Sequence, residues 1–387
     1  MANVLSNLAA DIYRAAEVVG REQVGAIPSV TLNTDATVRA AKGDTVRSAF
    51  TREPVLNTTY APSMVLPEGT DQTVDNKTLT VNNYASVEIP WQGEEIKHVN
   101  NGAGFETIYG NQIARAIRKI TNQIESALLV EIKNNSSRAF GTAGTTPFAS
   151  NFNEVAEIRQ ILIDNGMPDD RETTLVINTA AGTKLRNLAQ LQKVNEAGGD
   201  DLLRRGTLLD LQNIMIKESA GVGLHTKGTG TSYQTNNASG IALKDTTIAV
   251  DTGSGTIVAG DIITAAADIV NKYVVNSPLS AGSLAIGSPG ARVAIPDNNA
   301  ITVGNNYTAN VAFHRTAVEL CVRPPQAPII NGQRVDATMD SLVVQDPVTG
   351  LVFEVLVYGG HMKAVMIVHC LYGFRVWQSE HVATLLG

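Results

Sequence analysis

The chain has 387 residues, enough for two or three domains. Hydrophobic residues make up 43% and charged residues only 17%, with 33 glycines, which describes a cored protein with many turns and polar surfaces. A formal net charge of −7 excludes binding to nucleic acid through a basic footprint, because that affinity comes from Lys and Arg against phosphate.

The first residues, Met1-Ala2-Asn3-Val4-Leu5, have neither a basic start nor a sustained apolar run, so no secretory leader is expected. No apolar run approaches the ~18 residues that a membrane-spanning helix needs. The two cysteines, Cys321 and Cys370, sit in apolar segments and read as buried free thiols in a reducing compartment.

Residues 3–20 have the spacing of an amphipathic helix, through Val4, Leu5, Leu8, Ile12, Ala15 and Val19, closed by Gly20. Such a helix must dock its apolar face on the body of the protein or on a neighbour. Lys42-Gly43-Asp44 is a turn into a strand. From Phe50 to Ile89 the chain is polar and broken by Pro54, Pro62 and Pro67, with alternation at Leu79, Val81, Val87 and Ile89. This predicts a long two-stranded excursion with little core of its own.

The segment 105–135 is the strongest signal in the chain. Phe105, Ile108, Ile113, Ile117, Ile120, Ile124, Leu128 and Ile132 share one stripe at a period of 3.6. Arg115, Arg118, Lys119, Gln123, Glu125 and Lys133 are expected on the opposite, solvated face. The helix would be roughly 45 Å long, well above the usual length. Gly110 weakens it locally and offers a place to bend.

Downstream, Asn151 is expected to cap a helix over 152–165. Thr173–Asn178 reads as a strand, 179–195 as helix and Ile214–Ile216 as strand. From Gly221 to Asn305 the composition shifts to Gly, Ser, Thr, Ala and Asn. Short β-like runs recur at 247–250, 261–264, 273–275 and 292–295, predicting a small all-β module inserted into another domain. The stretch 308–322 has helical spacing, stopped by Pro324-Pro325. Strands are expected at 341–345, 351–358 and 364–377, the first two joined by a turn at 346–350. A helix at 105–135 backed by a sheet at the end of the chain implies a main domain split in sequence.

The motifs of nucleotide binding, metalloproteases and serine hydrolases are absent. His361 and His369 would lie roughly 26 Å apart on one extended strand, too far to share a metal. The adjacent pairs Glu94-Glu95, Asp169-Asp170 and Asp200-Asp201 read as solvated charge. His314-Arg315 is the one pair to watch, and a local hydrogen-bonded role is expected for it. Accordingly no catalytic, cofactor-binding or metal-binding residue is expected, and no cofactor.

The order of parts resembles the major capsid protein of tailed bacteriophages, in the branch whose coat subunit carries an inserted β-domain. The resemblance lies in Ala41-Lys42-Gly43-Asp44-Thr45-Val46, the 105–135 helix, Asn310-Val311-Ala312-Phe313-His314-Arg315 and Leu371-Tyr372-Gly373-Phe374-Arg375-Val376. It implies an α+β fold of the tailed-phage and herpesvirus type, with a long spine helix, an extended loop, split peripheral and axial domains and an all-β insertion. The implied division is an N-terminal arm (1–40), an extended loop (41–92), a peripheral domain (93–172 and 336–387), an axial domain (173–220 and 306–335) and the insert (221–305). The resemblance further implies a virion shell of hexamers and pentamers around double-stranded DNA, assembled in the host cytoplasm and followed by procapsid maturation. Implied partners are a scaffolding protein, a portal and a decoration protein, with no membrane. Some relatives join Lys and Asn side chains covalently. Lys77 stands on the implied loop, but nothing identifies a partner for it, so no crosslink is expected. The alternatives are another self-assembling surface or adhesion protein with β modules, which needs an export route, and an enzyme, which needs a pocket with convergent groups of shifted pKa.

Overall fold

The computed structural model describes residues 24–50, 62–65, 75–95, 105–192, 210–331, 333–347 and 349–387. The expected helix at 3–20 and the pair Asp200-Asp201 lie outside the described residues.

The apolar stripe of the central segment folds as predicted. Helix α1 (Phe105–Asn134) runs 30 residues and passes through Gly110 without a break. Ile113, Ile117, Ile120, Ile124, Leu128 and Ile132 are all buried along it. Burying each such side chain stabilises the fold by about 1.5–3 kcal/mol.

Before it come β1 (Thr31–Thr34), β2 (Thr45–Phe50), β3 (Asp75–Thr80) and β4 (Asn83–Gln92). After it come β5 (Arg138–Gly141), α2 (Asn153–Asp164), β6 (Thr173–Ile177), α3 (Thr179–Arg186), α4 (Ala189–Gln192), β7 (Asp210–Leu211), β8 (Ile214–Glu218) and β9 (Leu224–His225). The insert supplies β10 (Tyr233–Thr235), β11 (Thr247–Asp251), β12 (Ile262–Ala265), β13 (Asp268–Ser280), β14 (Ser283–Ile286) and β15 (Ala300–Val303). The chain then returns through β16 (Tyr307–His314), β17 (Val318–Arg323), β18 (Ile329–Ile330), β19 (Gln333–Arg334), β20 (Thr338–Gln345), β21 (Val352–Gly360), β22 (Lys363–Val376) and β23 (Val382–Leu386).

Three β-bodies surround α1. The first is a six-stranded sheet in the order β1-β17-β22-β21-β20, with β4 on the free edge of β22. β4 pairs with β22 over ten residues, from Asn83↔Tyr372 to Gln92↔Lys363. The apolar stripe of α1 packs on this sheet, against Phe353, Val355, Met366, Val368 and Cys370 among others. The second runs β7-β8-β6-β16-β23-β5, and α2 and α3 cover it through Val155, Ile158, Leu162, Ala181 and Leu185. The third is the insert. Its strands run β12-β15-β10-β11-β14-β13, and β12 also pairs with β13, so six strands close into a barrel. Closure leaves no free sheet edge. Ile248, Val250, Ile263, Val275, Leu284 and Ile286 fill its interior. The barrel joins the second sheet where β13 meets β5, at Lys272↔Ala139 and Tyr273↔Arg138.

The expected mixed α+β architecture with an inserted all-β module is therefore the one adopted, and residues far apart in sequence do build one core. Several local readings need correction. The stretch 308–322 is not helix: it is β16, a 3-10 turn (Arg315–Ala317) and β17. Nearly every residue of both strands is buried, and a strand covered on both faces gives a continuous apolar run that periodicity cannot tell from a helix. The run at 292–295 forms no strand and contributes only the isolated bridge Ile241↔Ile295. The helix expected at 179–195 is broken into α3 and α4 as far as it is described. Asn151 does not cap α2 at the expected position; its Oδ1 accepts from the Asn153 amide, while Phe152 holds the N-cap without a side-chain bond. Strand β23 (Val382–Leu386) is an element that the sequence pattern does not predict. The turn at 346–350 is present, with Gly350 at φ +74 as its tight corner.

Candidate assembly junctions on the long helix

Two charged residues expected on the solvated face of α1 are instead buried. Ile117, Thr121, Glu125, Leu129 and Lys133 are spaced by four residues, lie on one row of the helix, and are all buried. Each charged member of that row receives a different part of the chain.

Glu125 receives the N-terminal segment. Pro28 stands in the first turn of a 3-10 helix (Ile27–Ser29), whose leading amides have no partner within it. Glu125 Oε1 accepts from the amides of Gly25 (2.9 Å) and Ala26 (2.8 Å), and Oε2 accepts from Ile27 (2.9 Å). The Ser219 hydroxyl donates a fourth bond at 2.9 Å. Successive amides converging on one carboxylate make an anion nest, here filled by the protein itself. Lys217 Nζ donates to the Ser29 hydroxyl at 2.7 Å and ties β8 to the same turn. Burial pulls the Lys217 ammonium down from its ordinary value, with Glu125 opposing. Gly25 is required by close approach, since a Cβ there would meet Val176 at 2.9 Å.

Lys133 receives the barrel. Its Nζ lies 2.9 Å from His225 Nδ1, and His225 Nε2 lies 2.9 Å from Asp261 Oδ1. Asp261 is completely buried and also accepts from the amides of Gly228 and Val258. The carboxylate can only accept, so Nε2 carries the imidazole proton and Nδ1 accepts from Lys133. Tyr307 packs on His225, with ring centroids 5.1 Å apart, and donates to the Gly260 carbonyl at 2.6 Å. Burial pushes the Tyr307 hydroxyl far up, and Asp261 adds to the shift. Burial pulls Lys133 down, partly offset by Asp261.

A third cluster fixes the entry to the excursion. Arg39 grips the buried Glu354 with two bonds, of 2.7 and 2.9 Å. His369 Nε2 lies 3.1 Å from Glu354 and Nδ1 lies 3.2 Å from the Tyr84 hydroxyl, which links β4, β21 and β22. Burial pushes the Glu354 carboxyl up, but His369 and Arg39 more than offset it and hold it down at about 2.

The excursion itself is a hairpin of β2 and β3, in register from Thr45↔Thr80 to Phe50↔Asp75. Its base is anchored by Leu79 and Val81, packed with Ala40, Cys321 and Leu371. Lys77 stands over the Trp377 ring at 5.7 Å. In the sequence between β2 and β3, Met64 and Val65 are exposed apolar side chains.

Asp169 pairs with Arg159 at 2.7 Å. Glu95 accepts from the Gln92 amide. His314 caps the 3-10 turn: its Nδ1 accepts from Thr316 and its Nε2 lies 2.9 Å from Asp170. Glu172 lies close to this pair, and the three could surround a cation, but both imidazole nitrogens are already engaged within the protein. His369 sits in the Glu354 cluster, and His361 in the turn before β22. Cys321 and Cys370 are buried and free. A cleft of about 490 Å³ lies between Thr142, Asn151, Glu154, Glu157 and Lys272. Lys272 Nζ donates there to the Gly141 carbonyl. Among the described residues no helix is long and apolar enough to cross a membrane.

No family model matches the chain, and no curated protein matches it. Among solved structures it is similar to chains described as the capsid structure of the cyanophage P-SCSP1u (10% identity, 94% of this chain and 88% of the other, TM-score 0.49) and the asymmetric unit of the bacteriophage PhiM1 mature capsid (11%, 93% and 85%, TM-score 0.47). It is also similar to a virus-like particle from Pyrococcus furiosus (10%, 98% of each chain, TM-score 0.42).

Proposed function

We propose that this chain is a shell subunit, many copies of which assemble into a closed icosahedral container around double-stranded DNA. The observation that carries this reading is a pair of exposed apolar side chains, Met64 and Val65, in the segment between β2 and β3 of a firmly built body. The body is organised on α1 and locked by buried polar junctions. The β2–β3 hairpin is anchored through Leu79 and Val81, and Met64 and Val65 lie exposed in the sequence between its strands. Apolar side chains left this exposed gain nothing from their own globule and are suited to the surface of an adjacent copy. Weak contacts of this type sum when one subunit touches several neighbours at once. A net charge of −7 suits a container wall, since packaged DNA is repelled from it rather than bound.

In this reading residues 1–40 are an arm and 41–92 the region of the overlapping loop. Residues 93–172 with 336–387 form the peripheral part, 173–220 with 306–335 the part that meets its copies around five- and six-fold axes, and 221–305 an inserted β-rich domain. Hexamers and pentamers assemble in the host cytoplasm with a scaffolding protein and a portal, and a decoration protein joins the finished shell. The protein's role is structural rather than catalytic. Negative-stain microscopy of the purified chain, alone and with its scaffold, is expected to show closed particles. A strict monomer under every assembly condition would overturn the proposal.

A further inference from the structure

The Lys133 junction has the parts of an activated nucleophile. Asp261 fixes His225 in the tautomer whose Nδ1 lone pair faces Lys133, and the amine sits 2.9 Å from that nitrogen. Nucleophile, base and orienting carboxylate thus stand in line, as chemistry at an otherwise weak nucleophile requires. Lys133 and His225 line a cavity of about 190 Å³ together with Leu129, Val130, Leu224 and Ala309. Its rim is open to solvent, because Val130 is 50% exposed and Leu224 is 68% exposed. Gly260, at φ +89, backs the amine closely: a Cβ there would come within 3.0 Å of Nζ. Burial favours the neutral amine, which is the reactive form.

We propose that Lys133 is a self-modification site that takes a short acyl group from an activated ester or thioester, with the cavity holding the acyl chain. The Nζ lone pair attacks the carbonyl carbon and one amine proton passes to His225 Nδ1. The bond from the carbonyl carbon to the leaving oxygen or sulfur then breaks, and the departing alcohol or thiol takes that proton. The products are an amide at Lys133 and a free alcohol or thiol.

The test treats the full chain with a sub-stoichiometric amount of p-nitrophenyl acetate and maps acetylated lysines by mass spectrometry over time. Lys133 is expected to react about ten-fold faster than the exposed Lys184 and Lys244. His225→Gln keeps a hydrogen-bond acceptor but cannot take the proton, so it should lower the Lys133 rate about ten-fold and leave Lys244 unchanged. Leu224→Trp, at an exposed rim position, should slow Lys133 by filling the entrance, and it serves if His225→Gln does not fold. Labelling of Lys133 no faster than Lys244, or at a rate indifferent to the folded variants, would overturn the proposal.

Discussion

The two halves of α1 carry their charges in opposite ways. On the first half Arg115 and Lys119 face water. On the second half Glu125 and Lys133 are buried, although their spacing from the apolar stripe looks much the same. The difference lies in what arrives from elsewhere. The 24–30 segment and β8 cover Glu125, and the barrel covers Lys133. A helical position is polar or apolar by virtue of what lies on it, and a buried carboxylate that satisfies three amides organises its surroundings more than an exposed lysine does.

That contrast can be broken most decisively at Glu125. Glu125→Ala leaves the amides of Gly25, Ala26 and Ile27 buried without an acceptor and should cost about 3–5 kcal/mol in urea unfolding. A loss under about 1 kcal/mol would show that water replaces the carboxylate and that the nest is incidental. Asp261→Ala removes the acceptor for His225, Gly228 and Val258, and should cost about 2–4 kcal/mol by the same measurement.

Glu354 sharpens the comparison through pH. Its folded carboxyl is held down at about 2, against an ordinary value of 4.5. The stabilisation is therefore fully present above about 4.5 and is lost as pH falls from there through about 2. The thermal midpoint of the native chain should drop over that window more steeply than that of Glu354→Gln; parallel curves would remove Glu354 from the account. The smallest effect belongs to the exposed half. Lys119→Ala should change stability by less than about 0.5 kcal/mol, and a larger loss would mean that this face is covered as well.

Much of the fold was legible in the residues. The 3.6 period of α1 has no competing reading, and turn residues between short β-branched runs point to an all-β insert. Strands β16 and β17 were illegible as strands because both faces are buried, which erases alternation. Strand β23 is likewise buried throughout. The junctions were harder. The row Ile117, Thr121, Glu125, Leu129, Lys133 was present in the sequence, and two apolar members flanking a carboxylate could have flagged it. Its partners, Gly25 to Ile27 and His225 with Asp261, lie about a hundred residues away in either direction and carry no local pattern. His314 behaved as its sequence context suggested, as a local cap.

The claim that the protein works by reaching its neighbours is tested most directly by cryo-electron microscopy of assembled particles. The account predicts that density for the hairpin beyond β2 and β3, including Met64 and Val65, lies on an adjacent subunit. Particles in which that hairpin folds back wholly onto its own subunit would contradict it.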